Sequence, residues 1–158
     1  MGQIVTREEL GPLGEALRRD RKRVVFTNGC FDVLHVGHLR YLQQARALGD
    51  VLVVGVNTDE GVRRLKGPTR PVVPEAERAE LLAGLACVDY VTLFGEPLPN
   101  DTLAALRPAF HVKGGDYDAE SLPETPLVRS FGGEVVIMPL VEGRSTTNVV
   151  RRILESER

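Results

Sequence analysis

Apolar positions along the chain switch period in a regular alternation. Leu10, Leu13 and Leu17 recur at helical spacing behind Thr6, with Glu9 three residues on as in a capping box, and predict a helix over residues 6–20. From Arg23 the pattern shortens. Val24-Val25-Phe26-Thr27 is an apolar run that breaks at Asn28-Gly29, and an amphipathic stretch follows from Leu39 to Leu48, stopped by Gly49. Val51-Leu-Val-Val-Gly-Val56 does not alternate, as expected of a strand buried on both faces. Strand, helix and strand make a βαβ unit, whose crossover is almost always right-handed.

The alternation continues to the end of the chain. Lys66 to Pro74 reads as a Gly/Pro-rich loop, and Glu75 to Ala86 as a helix with Leu81, Leu82 and Leu85 on its apolar side. Tyr90 to Phe94 is the third predicted strand, Leu98 to Leu106 a helix, Ala109 to Lys113 the fourth strand and Glu134 to Met138 the fifth. Gly114 to Pro126 is a polar loop followed by a short helix, and Ser145-Thr-Thr-Asn148 leads a last helix through Val149, Val150, Ile153 and Leu154. The pattern predicts one α/β domain over residues 23–158, a Rossmann-like, doubly wound parallel sheet of five strands. Residues 1–22 are expected as a helical extension at its periphery.

A chain of 158 residues is long enough to bury a core without disulfides or a structural metal. Its 20 basic and 22 acidic residues nearly cancel and are scattered, which favours a small-molecule partner over nucleic acid or a membrane surface. Cys30 and Cys87 form no spaced framework, the N-terminus lacks a secretory pattern, and no apolar run approaches the ~20 residues of a membrane span. A reduced, cytoplasmic setting is the expectation.

In a parallel sheet, ligands bind beyond the carboxyl ends of the strands. Three polar clusters fall there: residues 27–38, 113–117 and 143–148. His35-Val-Gly-His38 sets two imidazoles three apart at a helix entry, where free N–H groups favour phosphate and imidazole donors can stabilise charge developing on phosphate oxygens. The blander alternative is a pair of surface or cap histidines. Metal ligation is not expected, because the pair supplies two ligands, His111 lies inside an apolar strand, and no paired cysteines complete a set. Ser145, Thr146 and Thr147 offer hydroxyl and amide donors at a helix start, or a simple cap; Lys113-Gly114-Gly115 offers a cation and a flexible backbone, or a turn. Asn57, Thr58 and Asp59 can read sugar hydroxyls or cap the next helix. Cys30 has no evident base and reads as a packed thiol rather than a nucleophile. Neither a P-loop nor a dinucleotide fingerprint occurs.

Thr27-Asn-Gly-Cys-Phe-Asp-Val-Leu-His-Val-Gly-His38, with Val51-x-Val-Val-Gly-Val-Asn-Thr-Asp59 and Ser145-Thr-Thr147, resembles the cytidylyltransferase-like branch of the HxGH nucleotidyltransferases, from Arg23 to Leu154. Within that branch, Leu65-Lys-Gly-Pro-Thr-Arg-Pro71, Glu77-Arg78, Val112-Lys-Gly-Gly-Asp-Tyr117 and Gly143-Arg-Ser-Thr-Thr-Asn148 are most similar to the adenylyltransferases of ADP-heptose synthesis, which join heptose 1-phosphate to ATP. That activity is often fused behind a sugar kinase, and the resemblance implies the stand-alone form here. It implies that His35 and His38 contact the triphosphate and stabilise the α-phosphorus, and that Lys66 neutralises the rearranging phosphates. Asn28, Cys30, Phe31, Lys113, Gly114, Asp116 and Ser145 to Thr147 are implied at the nucleotide. Asn57, Asp59 and Arg78 are candidates at the acceptor, although Arg78 among Glu75, Glu77 and Glu80 reads equally as a salt-bridged helix face. Mg²⁺ is expected with ATP, and a homodimer is compatible. Glycerol-phosphate cytidylyltransferases, also similar, carry Arg-Thr where this chain has Leu140 and Val141, and an apolar residue where it has Arg144. Arg144 is kept as a nucleotide candidate, facing phosphate or solvent. CTP with an alcohol phosphate such as glycerol 3-phosphate, and a non-catalytic nucleotide-binding module, are the rival readings.

Overall fold

The computed structural model describes residues 1–140 and 144–157, and among them six strands form one all-parallel sheet. These are β1 (Gln3–Ile4), β2 (Val24–Gly29), β3 (Val51–Asn57), β4 (Tyr90–Phe94), β5 (Phe110–Gly114) and β6 (Glu134–Met138), in spatial order β1-β4-β3-β2-β5-β6. The helices are α1 (Arg7–Arg19), α2 (Val36–Arg46), α3 (Asp59–Lys66), α4 (Glu75–Ala83), α5 (Asn100–Leu106), α6 (Thr125–Ser130) and α7 (Thr146–Ser156). No helix among the described residues is long and apolar enough to cross a membrane.

Period-two alternation divides the strand side chains between two cores. Val25, Leu52, Val54 and Val91 pack with Leu42 and Ala45 of α2 and with Ala79 and Leu82 of α4. Val24, Phe26 and Val53 pack on the opposite face with Leu10 of α1, Leu103 and Leu106 of α5 and Val128 of α6. Every residue of β3 is therefore buried, which is why its sequence does not alternate.

The topology opens a crevice at the end of β2. The chain runs from β2 to β3 and β4 on one side, then returns to place β5 and β6 on the other. Pairing of β2 with β3 continues to Gly29↔Val56, whereas pairing with β5 ends at Thr27↔Val112. Beyond Thr27 the two strands part, and the polar loops after β2, β3 and β5 face a common space.

Three elements differ from the pattern. The sixth strand, β1, has only two residues, both exposed, so it leaves no periodic trace; it pairs with Tyr90 and Val91 of β4. Residues 1–22 are also less peripheral than an extension: Leu10 is fully buried, and a Cβ added at Gly14 would lie 2.4 Å from the Leu106 carbonyl oxygen. Thr6 occupies the N-cap position, but its side chain makes no cap hydrogen bond, so the capping box does not form. Finally, residues 59–66 form α3, capped by Thr58 Oγ1 accepting from the Gly61 N–H at 3.2 Å. This charged eight-residue helix carries too few apolar positions to show a period, and it makes Lys66 a helix terminus rather than a loop residue.

Leu10→Ala should destabilise the protein by roughly 2–5 kcal/mol, the scale for emptying a fully buried leucine site. Urea unfolding at unchanged slope measures it. A loss below about 0.5 kcal/mol, the level of a surface change, would mean that α1 is not part of the cooperative core.

Candidate active site

The loop from β2 to α2 is held against its own conformational preference. Phe31 and Val33 have φ of 50° and 53°, a left-handed backbone that is unfavourable for side chains, above all for β-branched valine. Buried fastenings hold it there. The Phe31 ring packs on His38 at a centroid distance of 5.5 Å. The Asp32 carboxylate accepts hydrogen bonds from the Val72 and Val73 amides and from Arg70 Nε, each at 2.9 Å. Burial acts to raise the Asp32 carboxyl, but those amides and the Arg70 guanidinium outweigh it and hold it below the usual range. Thr146 Oγ1 donates to the Asp32 carbonyl at 2.6 Å, tying the start of α7 to the same loop.

This loop delivers two histidines in a fixed state. His35, extended at φ −140°, caps α2: its Nδ1 accepts from the Gly37 N–H at 3.1 Å, while its own N–H donates to His38 Nδ1 at 3.2 Å. A neutral imidazole that accepts at Nδ1 carries its proton on Nε2. The rings lie 4.0 Å apart. Burial, the neighbouring His35 and Lys66 push His38 down to about 4, and burial with Arg144 lowers His35. Both are therefore neutral near pH 7, each with an Nε2–H as its donor. Gly37 is needed between them, because an added Cβ would sit 2.8 Å from His35 Cε1 and 3.0 Å from Arg144 Cβ.

The histidines line a cleft of about 580 Å³ at the parted strand ends. Lys113, Gly114, Tyr117 and Leu140 lie on the β5–β6 side, with Arg144 to Thr147 at the start of α7. Asn28, Cys30 and Phe31 border it at β2; Asn57, Lys66 and the segment Pro97–Pro99 close the β3–β4 side. All three residues read as catalytic thus meet at one cleft, with nine of the ten read as nucleotide-binding. Arg144 lines the cleft and is itself exposed. Val141 and Gly143, also used in reading the sequence, lie outside the described residues.

Three predicted site residues fall outside the lining: Asp116, Asp59 and Arg78. Asp116 is exposed. Arg78 is neither a glutamate-flanked surface cation nor a wall of the cleft. It is 0% exposed, and four of its N–H donors go to the carbonyls of Val73, Cys30 and Asn57 and to Asp59 Oδ1, at 2.6–2.9 Å. Asp59 and Arg78 satisfy each other beneath the site and brace the ends of β2 and β3. Of the three acceptor candidates, Asn57 alone reaches the cleft. Burial pushes the Cys30 thiol up, opposite to an activated nucleophile, and its Sγ faces Asn57 Oδ1 at 3.8 Å.

The structure adds residues that the sequence reading left without a role. Asp32 stood inside the quoted motif, and Tyr41, one helical step from His38, could have been found by spacing; its hydroxyl lies 2.6 Å from Thr27 Oγ1. Glu124 carries no sequence signal. It is buried beside Lys113, which also lies 5.7 Å over the Tyr117 ring.

The chain is similar to several known proteins. The bifunctional protein HldE of Syntrophotalea carbinolica is 55% identical over 153 residues, covering 97% of this chain and 31% of that protein. HldE of Trichlorobacter lovleyi is 52% identical with the same coverage. The chain spans about a third of the length of these curated relatives. The lipopolysaccharide core biosynthesis protein of Thermoplasma volcanium matches with a TM-score of 0.62 at 30% identity, over 78% of this chain and 99% of that one. A pantoate-beta-alanine ligase of Francisella tularensis, solved with beta-gamma ATP and beta-alanine, matches with a TM-score of 0.60 over 100% of this chain and 79% of that one; at 13% identity it shows the fold alone. Residues 26–152 match the cytidylyltransferase-like family. With that match spanning most of β2, all of β3 to β6, the paired histidines and the cleft they line, the chain belongs to the cytidylyltransferase-like family and is an enzyme of the nucleotidyltransferase type.

Proposed function

We propose that this enzyme transfers AMP from ATP to a sugar 1-phosphate, heptose 1-phosphate, giving an ADP-sugar and pyrophosphate. The observation that carries the reading is the pair of neutral Nε2–H donors at the start of α2, midway along a cleft with Lys113 and the start of α7 at one side and Asn57 and Lys66 at the other. An acceptor phosphate oxygen attacks the α-phosphorus in line; the new P–O bond forms as the α–β bridging bond breaks, and its electron pair leaves with pyrophosphate. The acceptor is already ionised, so no strong general base is needed, and catalysis rests on positioning and on donors aimed at developing charge. His35 and His38 supply those donors without exchanging protons. Lys66, exposed at the end of α3 and lining the cleft, meets the phosphates as they rearrange.

Among the described residues no group of three His, Cys, Asp or Glu converges to hold a metal. Mg²⁺ would come with ATP, held largely by the triphosphate oxygens and water, and would supply charge neutralisation there. The choice of ATP over CTP rests on the resemblance of the 112–117 and 143–148 segments to the adenylyl branch, and Leu140 presents an apolar side chain to the cleft where cytidylyl relatives carry arginine. The similarity to HldE proteins supports heptose 1-phosphate as acceptor.

Pyrophosphate release with ATP or CTP, each paired with heptose 1-phosphate or glycerol 3-phosphate, tests the assignment. The highest kcat/KM is expected for ATP with heptose 1-phosphate. A preference for CTP would overturn the nucleotide, and no release with any pair would leave a binding module.

His38→Ala, and His35→Asn, which retains a capping acceptor, should each lower kcat by roughly 10²-fold or more while the melting temperature changes little. In the parent, burial with His35 and Lys66 holds His38 at about 4, and burial with Arg144 holds His35 below the ordinary value. The acid limb of kcat/KM should therefore be centred below about 6.5, the ordinary histidine value. Normal turnover in both variants, or an acid limb centred at or above 6.5, would remove the histidines from this role.

A further inference from the structure

One buried group on the β5–β6 side of the cleft has no structural task that accounts for it. Glu124 is 2% exposed and lines the cleft. It occupies the N-cap position of α6, yet its side chain makes no cap hydrogen bond. Its Oε1 lies 4.0 Å from Lys113 Nζ, and its Oε2 has no hydrogen-bond partner among the described residues. A buried carboxylate oxygen without a donor is unfavourable, and such atoms are explained by a ligand or a water that completes them. Gly114 beside Lys113 is closely packed, because an added Cβ would lie 2.9 Å from both Leu140 Cδ2 and Tyr41 Cε2.

We propose that Lys113 and Glu124 form a donor–acceptor pair that reads the edge of the nucleobase, with Glu124 Oε2 accepting from an exocyclic amino group and Lys113 Nζ donating to the adjacent ring nitrogen. This rests on the nucleotidyl-transfer reading of the cleft. Adenine and cytosine both present an amino donor beside an unprotonated ring nitrogen, so both complement the pair. Hypoxanthine and uracil present a carbonyl oxygen beside a ring N–H, which reverses both positions and sets that oxygen against the carboxylate. A ribose hydroxyl, which donates and accepts at once, also complements the pair, so inosine and 2′-deoxy nucleotides together separate base from sugar. The pair therefore selects amino-bearing bases as a class.

Calorimetric binding of ATP, ITP and 2′-deoxy-ATP to the parent and to Glu124→Gln tests the pairing, with a thermal melt of the variant as the folding control. ITP should bind the parent roughly 10- to 100-fold more weakly than ATP, the scale of a lost hydrogen bond to a charged group. 2′-Deoxy-ATP should bind about as well as ATP. The glutamine variant should lose roughly 10-fold or more for ATP and bind ITP at least as well as the parent does, because its amide N–H can meet the carbonyl oxygen. ITP matching ATP on the parent overturns the pairing without needing any variant. So does a penalty for 2′-deoxy-ATP in place of ITP, or an equal loss of both nucleotides in a folded Glu124→Gln. Each of these leaves the transfer reading standing, whereas binding of none of the three nucleotides would overturn both.

Discussion

Two hydrogen bonds across one helix turn set the chemistry of this protein. The His35 N–H donates to His38 Nδ1, and His35 Nδ1 accepts from the Gly37 N–H. Satisfying amides at a helix start is a routine stabilising device, usually performed by Ser, Thr or Asp. Performed by histidines, it consumes both Nδ1 atoms and leaves both Nε2–H groups for a ligand. Burial reinforces the outcome, because it disfavours the charged imidazolium and keeps the rings neutral. The cap, the tautomer and the donor array are one arrangement.

That arrangement is only as precise as the loop that carries it. Positive φ at Phe31 and Val33 is sustained by polar groups buried around it. Asp32 ties the loop to residues 70–73, Thr146 ties it to α7, and Arg78 fastens Cys30 to Asn57 and Val73 from below. Each fastening joins segments distant in sequence. Together they set the end of β2 between the β3 side and the β5 side, where the ladder to β5 has already stopped. A transferase needs two reactants meeting at one point, and a parted sheet with fixed donors at the division provides it.

The sequence exposed what depends on period and on local chemistry. Tyr90–Phe94 and Glu134–Met138 stand where the apolar runs predict strands, and the HxGH segment lies on a strand-to-helix turn as its Asn-Gly break and following amphipathic stretch imply. It concealed what depends on long-range partners. β1 is two residues defined solely by pairing with β4, and α3 is too charged and short to show a stripe. Arg78 among three glutamates looks like a surface residue; only the fold reveals the carbonyls of Cys30 and Asn57 converging on it. Glu124 is an ordinary polar loop residue until Lys113 and the cleft are placed beside it.

The most direct test of the account is the protonation state of the two imidazoles. Long-range ¹H–¹⁵N NMR correlation on the ¹⁵N-labelled protein at neutral pH distinguishes the tautomers of His35 and His38. Both rings are expected neutral, protonated at Nε2 with Nδ1 unprotonated, and each less than half charged at a pH of about 6.5, where an unperturbed histidine would be half charged. An Nδ1–H tautomer at either residue, or an imidazolium at neutral pH, would contradict the reciprocal cap and the donor role built on it.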